Sequence, residues 1–298
     1  MTKKLLPVGF YDLLFDEAEK NHRNINDALT TFLRAGYRLI RLPLVEFEEN
    51  FSNTKIANSF RATDVISGKN LVFRNDITLQ ISRLLTTRLH EEILPMKLCY
   101  VGDVLCAKND ELYADRQQTQ VGAEIIGCDE EKSNFEIVEI LFAALKKLQL
   151  KNLLIEFSLP DFLEKFLHEK GIKNSFELRD AIMQKNISLI RKLAKEQAEA
   201  IIQIALSNSN LSEMAQKISF PQVQKAQRIS GFMKKNFPEI EVRFDLFGDH
   251  KSSYHHELSF DVFCGDFSYP VARGGRYKIG KTDAVGATIY MNRLRKIL

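Results

Sequence analysis

The 298-residue sequence has no apolar run as long as a membrane span, and its first residues, Met1 to Pro7, lack the apolar core of a signal peptide. Its four cysteines, Cys99, Cys106, Cys128 and Cys264, form no Cys-x-x-Cys pair, which argues against a zinc site or a disulfide framework. The formal net charge is only +3, so electrostatics do not favour a nucleic-acid partner. Together these absences predict a cytoplasmic protein with buried thiols.

The composition is that of a soluble globular protein, with 45% hydrophobic and 27% charged residues. Periodicity predicts helices over residues 16–35 and 134–148, a helix after Asp76, and strands over 37–42, 98–105, 116–127, 153–157, 241–247, 258–264, 267–272 and 284–290. The strands over 98–105 and 116–127 are expected to form a long antiparallel hairpin. Strands that are joined by hairpins rather than by helices favour an α+β fold over a doubly wound one. An almost wholly helical stretch over 161–238 is expected to be inserted between two parts of a sheet domain, 1–160 and 239–298.

A hairpin is predicted between Asp64 and Arg74. Its strands are expected to be Val65-Ile66 and Leu71-Val72-Phe73, with Ser67-Gly68-Lys69-Asn70 as the turn. The next helix follows at once, and Asn75 or Asp76 is expected to be its N-cap.

The stretch from Arg116 to Gly127 shows the clearest alternation of polar and apolar residues in the chain. Arg116, Gln118, Gln120, Gly122 and Glu124 share one face of the predicted strand, and the opposite face is apolar. A polar strand face of this kind is either a solvated sheet face or the lining of a pocket. Composition alone favours the solvated face, because antiparallel sheets commonly face water on one side.

Five segments, taken in order, resemble the catalytic core of histidyl-tRNA synthetases, which have the class II synthetase fold. The first segment is Pro7 to Asp12 together with the first helix and Pro43, and it resembles the dimer-forming motif. The second is Phe73 to Thr78, and the third is the central strand that begins at Arg116. The fourth is Arg273 to Tyr277, and the fifth is Ala284 to Leu294, which contains Arg293. The resemblance covers nearly the whole chain. It implies a class II synthetase-like antiparallel sheet flanked by helices, with a helical insertion.

Two departures from the family pattern affect groups that catalysis needs. Cys106 stands where class II synthetases place an arginine that holds the ATP α-phosphate, and Lys108 replaces an acidic residue. Residues 250–255 replace the Arg-Gly-Leu-Asp-Tyr-Tyr segment, of which only Tyr254 remains. Fixed cations are the main stabilisers of such transition states, so the departures predict a protein without catalytic activity. The sequence ends five residues after Arg293, and an anticodon-binding domain is not expected.

A synthetase core with these departures is similar to the regulatory subunit of ATP phosphoribosyltransferase. That resemblance implies a role in the first step of histidine biosynthesis, with histidine as ligand and feedback regulator. It also implies self-dimerisation through the N-terminal motif and a hetero-oligomer, expected to be a hetero-octamer, with a short catalytic subunit. No cofactor, membrane association or tRNA charging is expected. The alternative is a truncated synthetase-like enzyme that activates histidine or another amino acid with ATP. A tRNA-binding relic is disfavoured by the modest net charge.

The family's histidine contacts, carried over position by position, correspond to Asp76, Thr78, Gln120, Glu124 and Tyr254. Asp76 would pair with the α-ammonium group, and Gln120 and Glu124 would bind the two imidazole nitrogens. The competing interpretation is that Asp76 only caps a helix and that Glu124 only faces solvent.

Three arginines, Arg116, Arg276 and Arg293, are candidates for binding phosphate or carboxylate, with ordinary surface arginines as the alternative. Gly274 and Gly275 are expected to serve a tight turn or a close approach of the backbone. The spacing of His250, His255, His256 and Glu257 fits no standard zinc pattern, so no metal site is expected.

Overall fold

A computed structural model of the chain describes residues 5–51, 58–108, 115–128, 130–173, 175–206, 220–247 and 255–298. The described residues divide into two compact units. The first unit comprises those within Met1–Asp129, Glu136–Leu150 and Gly286–Leu298, and the second those within Glu130–Phe135 and Lys151–Val285. The helical segment expected over 161–238 falls within the second unit, and its exact boundaries stay a prediction.

The helices, in chain order, are α1 (Phe15–Arg34), α2 (Thr78–Thr87), α3 (Glu130–Lys147), α4 (Phe162–Glu169), α5 (Phe176–Met183), α6 (Ile187–Ala194), α7 (Ala198–Leu206), α8 (Pro221–Asn236) and α9 (Met291–Leu294). The strands are β1 (Arg38–Ile40), β2 (Val45–Phe47), β3 (Arg61–Thr63), β4 (Asn70–Phe73), β5 (Met96–Leu105), β6 (Gln117–Ile126), β7 (Leu153–Ser158), β8 (Glu241–Phe244), β9 (His255–Cys264), β10 (Phe267–Ile279) and β11 (Thr282–Tyr290).

The first unit is built on the strand order β1-β5-β6-β11, in which β5 and β6 form the predicted antiparallel hairpin. β1 runs parallel to β5. Helix α1 buries Ala28 and Phe32 and ends where expected, because Gly36 adopts a φ of +85° and its amide closes on the carbonyl of Leu33. A small antiparallel sheet, β2-β4-β3, completes the unit around Phe51 and Val72.

The predicted hairpin between Asp64 and Arg74 exists, but its first strand was assigned wrongly. The pairing strands are β3 and β4, and Val65-Ile66 lies in the connecting loop, where both side chains are exposed. The prediction followed the β propensity of two β-branched residues. The actual register is set by the pairing of Ala62 with Leu71, which puts the polar residues Arg61 and Thr63 into the strand.

The second unit has the strand order β10-β9-β7-β8, with β7 and β8 parallel and the other two pairs antiparallel. The helices α4 to α8 belong to this unit. Its core includes a phenylalanine cluster of Phe162, Phe166, Phe220 and Phe247. Mostly antiparallel pairing with flanking helices confirms the α+β prediction. Gly274 and Gly275 form no tight turn, because both residues lie inside β10, opposite Phe260 and Ser259 of β9; the alternative, a close approach of the backbone, stays a prediction.

Polar side chains define two of the helix starts in the second unit. The hydroxyl of Ser175 accepts the amide of Leu178 at 3.2 Å, and Oδ1 of Asn186 accepts the amide of Leu189 at 3.1 Å. Both contacts are N-caps, which satisfy amides that the helix itself leaves unpaired. Asn186 therefore marks the start of α6.

Within the described ranges, no helix is long and apolar enough to cross a membrane, and no group of three or more His, Cys, Asp or Glu residues is arranged to hold a metal ion. All four cysteines are free thiols. Cys99 and Cys264 are buried, whereas Cys106 and Cys128 are half-buried.

Candidate ligand-binding site

The polar face of β6 is buried, so the interpretation of Gln120 and Glu124 as a solvated sheet face is wrong. Gln120 is 3% exposed and Glu124 only 1%. The antiparallel register sets Tyr100 of β5 opposite Gly122 and Gly102 opposite Gln120, so the polar residues of β6 share their face with an aromatic ring and a second glycine. A buried carboxylate and a buried amide on one strand require hydrogen-bond partners.

Glu124 is held by hydroxyl groups from two other elements. Its Oε1 accepts a hydrogen bond from Oγ1 of Thr78, at the start of α2, at 3.0 Å and a longer one from the hydroxyl of Tyr100 at 3.5 Å. The Tyr100 hydroxyl also lies 2.7 Å from Oγ1 of Thr288 on β11. Side chains from α2, β5, β6 and β11 therefore meet around one carboxylate.

Two glycines provide the space for this arrangement. A Cβ at position 122 would lie 2.3 Å from Cζ of Tyr100, and a Cβ at position 286 would lie 1.7 Å from Oε2 of Glu124. Side chains at these positions would displace the two groups that meet at the site. The glycines are required here because of close packing rather than because of an unusual backbone conformation.

Two hydrogen bonds hold the start of α2, one to β6 and one to Asp76, which precedes the helix. The amide of Ile77 donates to Oε1 of Gln120 at 3.3 Å, and the amide of Thr78 donates to Oδ1 of Asp76 at 2.8 Å. The N-cap position is Ile77 and not Asn75 or Asp76 as predicted, yet Asp76 still satisfies an amide of the first turn. This contact places the half-buried Asp76 beside the Glu124 site.

Two carboxylates lie close to the hydroxyl of Tyr100. The pKa of the Tyr100 hydroxyl lies well above its usual value, first because the side chain is buried and then because the carboxylates of Glu124 and Asp76 are close to it. Tyr100 is therefore a neutral hydrogen-bond donor at physiological pH. Two carboxylates around a neutral phenol suit a ligand that carries a protonated amine or an imidazole.

The predicted site residues are brought together only in part. Asp76, Thr78, Gln120 and Glu124 converge as expected. Tyr254 lies outside the described residues, as does His250, and the side chains of His255, His256 and Glu257 are not described.

The three candidate anion-binding arginines all make contacts within the chain. The Arg116 guanidinium lies over the rings of Phe60 and Phe10, at 4.6 and 5.5 Å from their centroids. In the second unit, Nη1 of buried Arg276 donates to Ser133 and Asn134, at 3.1 and 3.2 Å. Buried Arg293 of the first unit stacks on the Tyr290 ring, 4.3 Å from its centroid. Anion binding at these arginines stays a prediction.

Sequence reasoning did not find Tyr100, Thr288 and Gly286. A signal for Tyr100 was present, because the predicted β5–β6 hairpin must place some β5 side chain against Gly122. Thr288 and Gly286 had no comparable signal, since they come from a strand more than 150 residues further along the chain.

Cys106 follows directly on the last residue of β5. Its amide donates to the carbonyl of Arg116 at 2.8 Å, which extends the hairpin by one residue beyond the pairing of Leu105 with Gln117. The backbone at this position thus continues the regular ladder, and the Cys106 side chain is a half-buried thiol.

The sequence profile described as Histidyl-tRNA synthetase matches residues 9–294. The chain is 28% identical over 306 residues to a protein named ATP phosphoribosyltransferase regulatory subunit from Paramagnetospirillum magneticum, covering 98% of this chain and 81% of that one. A protein of the same name from Caldanaerobacter subterraneus is 28% identical over 288 residues, covering 91% and 75%.

Solved structures show the same fold. An ATP phosphoribosyltransferase regulatory subunit/histidyl-tRNA synthetase from Bacillus halodurans C superposes with a TM-score of 0.86 at 20% identity, over 100% of this chain and 84% of that one. A chain of the ATP phosphoribosyl transferase (HisG:HisZ) complex from Thermotoga maritima superposes with a TM-score of 0.71 at 19% identity, over 93% and 98%.

Proposed function

The chain belongs to the histidyl-tRNA synthetase family, and from that membership we propose that it is the non-catalytic regulatory subunit of an ATP phosphoribosyltransferase. In this role it supports a short catalytic subunit in the first step of histidine biosynthesis in the cytoplasm. The names of its relatives support the regulatory role, and so does the Thermotoga maritima complex.

The observation that carries the non-catalytic part of the proposal is the side chain at position 106. Leu105 and Gln117 pair in regular register, and the next residue along the chain is Cys106, which by the resemblance to class II synthetases takes the place of an arginine. A thiol offers no positive charge to an ATP phosphate, and loss of one fixed electrostatic contact typically costs about 10²–10³ in rate.

The retained polar site supports histidine as the regulatory ligand. Glu124 and Gln120 are buried and fixed, and they provide acceptors for an imidazole N–H. Asp76 lies beside them, suitably charged to pair with an α-ammonium group. Histidine would replace Thr78 and Tyr100 as a partner of Glu124, so its binding would alter the packing of α2 against the sheet. Feedback control would then arise if the two packings differ in their effect on the catalytic subunit.

Self-association is proposed to use the N-terminal segment. This stretch exposes a set of large apolar side chains: Leu5, Leu6, Val8, Tyr11, Leu14 and Phe15, each between 53% and 82% exposed. Exposed apolar surface of this extent in one segment is typical of a protein–protein interface.

Two assays on the purified chain test the proposal. With a short ATP phosphoribosyltransferase subunit, we expect a complex at micromolar concentrations and a rise in phosphoribosyl transfer, which histidine then lowers. Alone, the chain should show no amino-acid-dependent exchange of pyrophosphate into ATP. Robust histidine-dependent exchange would instead establish the truncated synthetase. A complex whose activity equals that of the catalytic subunit alone would refute the regulatory role.

A further inference from the structure

Arg74, which directly follows β4, is a buried cation close to the candidate site. It is 7% exposed. Its Nε donates to the carbonyl of Asp103 at 2.7 Å. Its Nη1 donates to the carbonyl of Leu42 at 2.9 Å and to Oε1 of Gln80 at 3.2 Å. Burial lowers the pKa of Arg74, yet a guanidinium stays charged at neutral pH. The side chain is therefore a positive charge that is fixed in place.

The remaining nitrogen of this guanidinium, Nη2, lies on the same sheet face as the candidate site. A Cβ at position 102 would come within 2.2 Å of Nη2, so the glycine leaves the space that the guanidinium fills. Gly102 pairs with Gln120 and shares its face of β5 with Tyr100. Within the part of the chain that the structure describes, the hydrogen bonds of Arg74 run from Nε and Nη1 only. Nη2 therefore holds two further N–H groups beside Gln120.

The charges on this face match those of an amino acid with a basic side chain. Asp76 and Glu124 supply two carboxylates, Tyr100 is neutral, and Arg74 adds one positive charge. An α-ammonium group and an imidazole suit the two carboxylates, and the carboxylate of the ligand then needs a cation. A multiply charged phosphate is the poorer fit for Nη2, because the two carboxylates of the site would repel it.

We propose that Arg74 binds the α-carboxylate of the amino-acid ligand through Nη2; this rests on the histidine site proposed above. A guanidinium suits this role, because its N–H donors lie in one plane and match the geometry of a carboxylate. The bonds from Nε and Nη1 hold the side chain in position before the ligand arrives, so little entropy is lost on binding. The ligand would then contact both the segment before α2 and the polar face of β6.

The test compares histidine with histidinol, which has a hydroxymethyl group in place of the carboxylate. Calorimetry on the full chain gives the dissociation constant of each ligand. The unmodified chain should bind histidine about ten- to a few hundredfold more tightly, the usual effect of a hydrogen bond to a charged group. Arg74→Met should bring the ratio of the two constants close to one. A merely structural role of Arg74 would weaken both ligands alike and leave the ratio unchanged.

Two further variants separate recognition of the carboxylate from the packing of Arg74. Gly102→Ala keeps the positive charge but places a methyl group at Nη2, so it should also bring the ratio close to one. Arg83→Met is the matched control. Arg83 pairs with Glu46, which accepts a hydrogen bond from Gln80, so its loss disturbs the same polar network away from Nη2. Its ratio should equal that of the unmodified chain.

Equal affinity of the unmodified chain for histidine and histidinol would leave the site standing and overturn only the role of Arg74. That comparison needs no substitution, so it decides the matter even if Arg74→Met does not fold. A preference for histidine that survives in Arg74→Met, or that Arg83→Met removes as well, would also refute the proposal. If the unmodified chain binds neither ligand, the proposed histidine site itself fails, and the role of Arg74 with it.

Discussion

The backbone of Gly286 lies directly against the carboxylate of Glu124. A Cβ at position 286 would come within 1.7 Å of Oε2 and 2.3 Å of Cδ of this side chain, whose other oxygen is held by Thr78. Side chains can usually move away from such a contact when their ends are mobile. Glu124 is 1% exposed and hydrogen-bonded, so it can move only by leaving its partners. The position of the carboxylate therefore depends on the absence of a side chain at residue 286.

Gly286→Ala should displace Glu124 and destabilise the protein. Overpacking of a buried site typically costs about 1–3 kcal/mol, and part of the loss here comes from the broken hydrogen bond to Thr78. Chemical denaturation monitored by circular dichroism would measure it. Histidine binding, where calorimetry detects it in the unmodified chain, should be abolished.

Gly231→Ala is the matched control for that substitution. Gly231 lies in the middle of α8, and a Cβ there would meet nothing within 4 Å. Alanine should therefore stabilise the helix by roughly 0.5–1 kcal/mol. If Gly286→Ala were as well tolerated as Gly231→Ala, the close packing of Gly286 on Glu124 would be refuted.

The sequence contained enough information to predict the central hairpin and the convergence of four candidate site residues. The alternation around Gln120 and Glu124 has a period of two that only a strand fits, and the family motifs placed Asp76 and Thr78 beside it. The alternation does not show which face of the strand is covered by other elements of the fold. Burial of Gln120 and Glu124 depends on packing by α2, and that contact spans more than 40 residues of sequence.

Local propensity misled the prediction where tertiary pairing overrode it. Val65 and Ile66 are strong strand formers, yet they occupy a loop, because Asp64 satisfies the loop amides and Gly68 supplies the positive φ that the closure requires. Gly274 and Gly275 are weak strand formers, yet they continue β10, because β9 pairs with them. Hydrogen bonds that strand propensity does not count therefore determine the structure in both places: those of the Asp64 loop at Val65 and Ile66, and those of the partner strand at Gly274 and Gly275.

Glu156→Gln should raise the thermal stability at neutral pH. The pKa of Glu156 is raised, chiefly by burial and then by the nearby carboxylates of Asp245 and Asp261, whereas Lys185 and Arg243 oppose the shift. The surroundings of Glu156 therefore disfavour its charged form in the native state. The neutral amide removes this cost, and the melting temperature should rise on the order of 2 °C.

The pH dependence distinguishes this cause from a change in packing. Because the folded-state pKa exceeds the ordinary value of 4.5, the unfolded chain binds fewer protons between the two values, and native stability falls as the pH rises through that window. The advantage of Glu156→Gln should thus be present at pH 7 and disappear below about pH 4. Glu241→Gln, at a more exposed position on β8, is the control and should show no such trend. A gain that is equal at both pH values would contradict the electrostatic explanation.

The four thiols should react in two classes. Burial raises the pKa of Cys99 to about 11 and also raises that of Cys264. At pH 8 only about 0.1% of Cys99 would be thiolate, against roughly a quarter of an ordinary cysteine. With Ellman's reagent, the half-exposed Cys106 and Cys128 should react first, and the other two only on unfolding. Cys106→Ser should remove one fast thiol, and rapid reaction of all four would contradict the burial of Cys99 and Cys264.

Glu124→Gln should weaken histidine binding while leaving the fold intact. The amide keeps the shape of the side chain and can still accept the hydrogen bond of Thr78, but it removes the negative charge that faces the ligand. Loss of a hydrogen bond to a charged group costs about 1.5–3 kcal/mol, or roughly ten- to a few hundredfold in affinity. Titration calorimetry with free histidine measures it. Glu19→Gln is the control, because it removes the same charge from an exposed position on α1 and should bind histidine as the unmodified chain does. If Glu124→Gln and Glu19→Gln bound histidine equally well, the ligand would not contact Glu124. Feedback control would then have to act through some other surface of the chain.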